Sequence, residues 1–289
     1  MRERTIIGRA GSYGVGDLVA ENETYRLYLC KQEETGRECL LQVPINTSHN
    51  GDLDRAGFFL KQFERRALEL EEEYKTVKDD PKKVLNYQLG FPELLEGFVC
   101  QEHGGRRINI LAFRNVEKVN NLSPLTFITE RDQRRIDLRT SVWIMGKLLK
   151  LLTFAHSQGI AVCELTSGNI LIEPKEHYVL IFDWSVARAF QKGVPDKECG
   201  NDISQAARAV IEVMGGDFET STFHEDDNKA FKHPYETGKG FDLYTAHILR
   251  LASGSERNAG KAHQNFYNLV DELWEGAYHP FTSYPLTLT

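Results

Sequence analysis

No stretch of about eighteen consecutive apolar residues occurs in the sequence, so nothing in it reads as a membrane-spanning helix. The first residues, MRERTIIGRAG, lack the apolar core of a secretory signal. Cysteine is sparse: five residues, odd in number, scattered at 30, 39, 100, 163 and 199 with no CxxC spacing. That argues against a disulfide framework and predicts reduced, mostly buried thiols in a cytoplasmic protein. The nine histidines are equally dispersed, which leaves no zinc-binding set. Excess positive charge is missing as well. A net charge of −7 gives no general reason to expect nucleic acid or an acidic membrane surface as partner. Internal repeats and low-complexity segments are absent. What remains is 289 residues with 41% apolar content, enough to bury one or two cores.

The most informative stretch is 159–188, GIAVCELTSGNILIEPKEHYVLIFDWSVAR. Two short apolar runs, 169–173 and 178–182, flank a Pro-Lys-Glu turn and read as a strand hairpin. Asn169 stands before the first run and Asp183 after the second, so a hairpin brings an amide oxygen near a carboxylate. Oxygen ligands of this kind suit Mg²⁺ beside phosphates. The plainer reading of each is local: Asp183 satisfying backbone N–H groups of its own turn, Asn169 tying its loop together.

Further strands follow from alternation. Residues 27–30 and 38–43 form a hairpin across Glu33-Glu34-Thr35-Gly36, and 94–101 pairs with 108–113 around His103-Gly104-Gly105. Helical periodicity runs over 54–78, with Phe59, Phe63, Leu70 and Tyr74 recurring among many charges, and over 137–157, which Gly159 ends. Asp202 reads as the N-cap of an apolar-periodic helix ended by Gly215-Gly216. Further helices are expected near 241–251 and 259–274. The aromatic tail 277–289 either packs on the domain or offers a contact surface.

The hairpin stretch resembles the catalytic and metal-binding loops of the protein kinase superfamily, patterned HRDxxxxN and DFG. Here they read Val162-Cys163-Glu164 with Asn169 five residues on, and Asp183-Trp184-Ser185. YLCKQEETGRECLLQV likewise resembles the second and third kinase strands. The resemblance implies an α+β, bilobal protein-kinase-like fold, with a small antiparallel-sheet N-lobe carrying helix αC (1–114) and a mainly helical C-lobe (115–289). It places the phosphate-gripping loop at 20–25, where Ala20, Asn22 and Tyr25 replace glycines, and makes the glycine-rich stretch 8–16 a decoy. It puts Gln42 at the position of the phosphate-pairing lysine and Leu27 and Leu40 around the adenine slot, with Leu171 below. Phe113 falls at the back of the nucleotide pocket, and Asn115 and Val116 in the hinge at 114–116. Asn169 and Asp183 become metal ligands, and Glu164 takes the base position one methylene too long. The αC glutamate stays open among Glu64, Glu69 and Glu71.

Since phosphoryl transfer is mostly positioning and charge stabilisation, the lost glycines, lysine and aspartate predict a catalytically impaired pseudokinase. The segment between Asp183 and the following helix is also too short for a peptide-docking loop. Such a chain is expected to need no cofactor and to act as a regulatory, binding or allosteric module for another protein. The rival is an active atypical phosphotransferase using ATP and Mg²⁺ through Asn169, Asp183 and Glu164. Gly168-Asn169 and Asp183-Trp184 are similar to aminoglycoside-phosphotransferase-like kinases. A nucleotide sensor without turnover is a third possibility.

Overall fold

The computed structural model describes residues 4–77, 85–175, 177–223 and 238–274. The chain divides into two compact units, one of residues 1–122 with 182–186, the other of 123–181 with 187–289. A division at 114/115 therefore falls inside the first unit.

That unit is built on a six-stranded antiparallel sheet. In chain order its strands are β1 (Arg4–Ile7), β2 (Ser12–Glu21), β3 (Tyr25–Gln32), β4 (Glu38–Pro44), β5 (Glu93–Cys100) and β6 (Arg106–Ala112). Their spatial order is β1-β2-β3-β4-β6-β5. Helix α1 (Asn50–Val77) crosses from β4 to β5. Its buried residues Leu53, Ala56, Leu60, Phe63 and Ala67 recur at helical spacing and form the face turned inward. Gly57 lets this helix approach the sheet, because a Cβ there would stand 3.2 Å from Leu94.

The register of β3 against β4 sets Tyr25 opposite Pro44, Leu27 opposite Gln42 and Leu29 opposite Leu40, so these side chains share one face. The alternate residues Cys30, Cys39 and Leu41 pack on the other face with Ile6, Tyr13, Ile108 and Ile110. The two outer strands are tied together. Glu96 on β5 accepts hydrogen bonds from the N–H groups of Arg9 (2.8 Å) and Ala10 (3.3 Å), in the turn between β1 and β2. The glycine-rich stretch belongs to this turn and to β2, not to the turn between β2 and β3.

The second unit is mainly helical. It contains β7 (Ser123–Pro124), α2 (Thr126–Glu130), α3 (Leu138–Ser157), β8 (Ile160–Ala161), β9 (Ile170–Glu173), β10 (Tyr178–Ile181) and β11 (Arg188–Ala189). These are followed by α4 (Asp196–Val213), the short hairpin β12 (Gly216–Asp217) and β13 (Thr222–Phe223), α5 (Lys239–Ala252) and α6 (Ala259–Trp274). Asp137 caps α3 by accepting from the Thr140 N–H at 2.8 Å. Gly159 ends it at φ +73°, a left-handed conformation suited to glycine. The expected hairpin is present, with Ile170 opposite Ile181 and Glu173 opposite Tyr178. Helix α4 begins at Asp196 rather than at Asp202. Pro195 fixes the entry and Asp196 and Glu198 in the first turn suit the positive end of the helix dipole, so the start lies where those residues are.

Among the described residues no helix is long and apolar enough to cross a membrane. Most of the polar segment before α5 (224–237) and the aromatic tail 277–289 lie outside the described residues.

Candidate functional site

The turn between β2 and β3 is built by Asn22. Its Oδ1 accepts from the N–H groups of Thr24 (2.9 Å) and Tyr25 (2.8 Å), while its own N–H donates to the Tyr25 carbonyl (3.0 Å). Backbone donors that a glycine loop offers to phosphates are here committed to an Asx turn. Ala20, at the far end of β2, is exposed and pairs with Leu27.

Tyr25 is only 5% exposed, and its hydroxyl donates to Asp183 Oδ2 at 2.9 Å. The other carboxylate oxygen, Oδ1, accepts from the Ser185 N–H at 2.8 Å. Each oxygen of the expected metal ligand thus already has a donor within its own unit. Burial first, and then the Asp183 charge, push the Tyr25 phenol well above its ordinary range, so it is a neutral donor.

Gln42 is buried, and its Oε1 accepts from Asn109 Nδ2 at 3.3 Å. The same Asn109 amide donates to the Leu53 carbonyl at 2.9 Å. A neutral amide, paired with another from β6, therefore stands where a lysine was sought. The α1 glutamates are engaged elsewhere. Glu64 pairs with Arg114, Glu69 with Arg66 at 3.0 Å, and Glu71 accepts from Gln88 at 2.9 Å. Of the basic residues on β3, Arg26 pairs with Glu21 at 3.0 Å and Lys31 is exposed.

Apolar bulk is kept. Trp184 packs edge-on against Phe63 with ring centres 4.7 Å apart, and Leu27 and Leu40 are buried on the Tyr25 face of the sheet. Phe113 is buried at the end of β6, its carbonyl accepting from Arg37. Asn115 is exposed at φ +57° and Val116 half-buried.

In the second unit the loop after β8 is gripped from α4. Asp202, fully buried, accepts from the N–H groups of Val162 (2.8 Å) and Cys163 (2.9 Å) and from His156 Nε2 (2.9 Å). This explains how Cys163 is held at φ +69°, a conformation unusual for a side-chain-bearing residue. Gln205 adds a second clamp, accepting from the Leu165 N–H at 2.9 Å. Asp202 is therefore not an N-cap but the internal anchor of this loop. The residues Pro195, Asp196 and Glu198 were the available signal for the earlier helix start. Glu164 is exposed at the loop surface, and Asn169 Nδ2 donates to its carbonyl at 2.9 Å. Leu171 is buried on β9 opposite Leu180. Asn169 belongs to the second unit and Asp183 to the first. Among the described residues no group of three or more His, Cys, Asp or Glu side chains could hold a metal ion.

No family model matches the sequence, and no curated protein matches it. Among solved structures, vaccinia related kinase 3 is similar over 96% of this chain and 93% of its own, with a TM-score of 0.60 and 15% identity. The fold is protein-kinase-like. Its sheet unit with α1 corresponds to a kinase N-lobe and its helical unit to a C-lobe. At this identity the likeness concerns the kinase-like fold alone.

Proposed function

We propose that this kinase-like domain is catalytically impaired and acts as a regulatory binding or allosteric module for another protein. The observation that carries the reading is the Tyr25 hydroxyl on the Asp183 carboxylate at 2.9 Å. A kinase needs that carboxylate for Mg²⁺ and the loop above it for phosphates. Here a buried phenol holds one of its oxygens and Asn22 holds two of the loop amides. The amide pair Gln42–Asn109 supplies no cation for the phosphates. Leu27 and Leu40 add bulk where the adenine would lie, and α4 starts soon after Asp183, which leaves little chain for a peptide-docking loop. The ordered loop beneath Asp202 and the packed Trp184 fit a domain selected for shape.

Turnover decides between this reading and an active phosphotransferase. The purified chain, given Mg-ATP with protein and small-molecule acceptors, is expected to release no ADP above the background of Asp183→Ala. Turnover abolished by both Asp183→Ala and Glu164→Gln would favour the active enzyme.

A further inference from the structure

The register of β3 and β4 sets Cys30 directly opposite Cys39. Both are free thiols, 2% and 0% exposed, in one core cluster on the sheet face opposite Tyr25. The Gln32 N–H donates to the Arg37 carbonyl at 2.9 Å. Hydrogen-bonded pairs recur every second residue along an antiparallel ladder, so Cys30 and Cys39 occupy one. Such pairs have Cα atoms about 5.5 Å apart, within the roughly 4.4–6.8 Å that a disulfide spans. Directly opposed side chains also leave the sheet on the same side.

We propose that Cys30 and Cys39 form a reversible cross-strand disulfide, which makes the β3–β4 pair a thiol–disulfide modification site. The oxidant is a peroxide. The Cys39 thiolate attacks one peroxide oxygen, the O–O bond breaks, and Cys39 becomes a sulfenic acid as the released hydroxide takes up the thiol proton to give water. The Cys30 sulfur then attacks the Cys39 sulfur, the S–S bond forms, the S–O bond breaks, and a second water leaves with the Cys30 proton. Two thiols lose two electrons and two protons while one peroxide becomes two waters. Cys39 is the attacking partner because the hydrogen bond from Cys30, with Arg37 nearby, holds its thiol lower, whereas the same bond and burial push Cys30 up. The bridge fixes the register of the two strands that carry Tyr25 and Gln42 on their other face, and it requires nothing of the nucleotide reading.

The test is peptide mapping of the full chain after treatment with hydrogen peroxide, alkylation and tryptic digestion. The expected product joins peptides 27–31 and 38–55, disappears on reduction with dithiothreitol, and protects both thiols from alkylation after unfolding. Cys100 packs against the same cluster and is partly exposed, so it is the competing partner. A link from Cys39 to Cys100, sulfinic acid without a link, or two thiols still open to alkylation would overturn the assignment. In Cys30→Ser the linked product is lost; because the wild-type map decides the question, a poorly folding variant does not blunt the test.

Discussion

The hydroxyl of Tyr25, at the first position of β3, donates at 2.9 Å to Oδ2 of Asp183, 158 residues later in the chain. A residue that the resemblance sets at a loop-glycine position thus contacts the carboxylate that it proposes as a metal ligand. Tyr25→Phe removes this donor and leaves the ring. A hydrogen bond to a charged group contributes about 1.5–3 kcal/mol, so the variant is expected to unfold at lower urea by an amount toward the lower end of that range. The same contact predicts a pH dependence. The phenol ionises at about 10 when unfolded and well above that when folded, so its contribution is complete below pH 10 and declines as pH rises past it. Urea titrations at rising alkaline pH should show a flatter loss for Tyr25→Phe than for wild type; equal slopes would contradict the assignment.

Placing a lysine at 42 should not create a nucleotide site. Gln42→Lys removes the acceptor of the Asn109 amide and puts an ammonium into a buried position. A loss of about 1–3 kcal/mol is expected. Mg-ATP should give no thermal shift, since Tyr25 still holds Asp183. A gain of nucleotide binding from this single change would contradict the role given to Tyr25.

Asp202 gathers three donors in a fully buried position. Removing one partner of a buried charged contact costs about 3–5 kcal/mol, and Asp202→Ala is expected to fall in that range by urea denaturation. Amide exchange at Val162 and Cys163 should accelerate in the milder Asp202→Asn variant, even where the rest of the unit stays protected.

Glu64 and Arg114 are both largely shielded, at 25% and 18% side-chain exposure. A double-mutant cycle with Glu64→Gln and Arg114→Met should return a coupling of about 1 kcal/mol. A coupling near zero would show that the α1 glutamate is not held by this arginine.

Much of the fold was legible because it is written in local periodicity. Alternation marked 27–30 and 38–43, which became β3 and β4, and helical spacing marked α1 and α3, the latter with its Gly159 stop. The hairpin of β9 and β10 followed from two apolar runs and a turn. The start of α4 was misread because Asp202 looks like a cap in sequence, whereas its carboxylate serves a loop some forty residues earlier. The Tyr25–Asp183 contact had no local signature either, because the two residues lie 158 positions apart and nothing near Tyr25 shows where its side chain reaches. The pairing of Gln42 with Asn109 was not readable at all, because it depends on the register of β4 against β6.

The most direct test is a thermal-shift titration of the wild-type chain with Mg-ATP at millimolar concentration, beside Tyr25→Gly. A ligand present at about a hundred times its dissociation constant adds about 2.7 kcal/mol to stability, a displacement such a titration resolves. No rise in melting temperature is expected for wild type; a clear Mg²⁺-dependent rise would contradict a site closed by Tyr25.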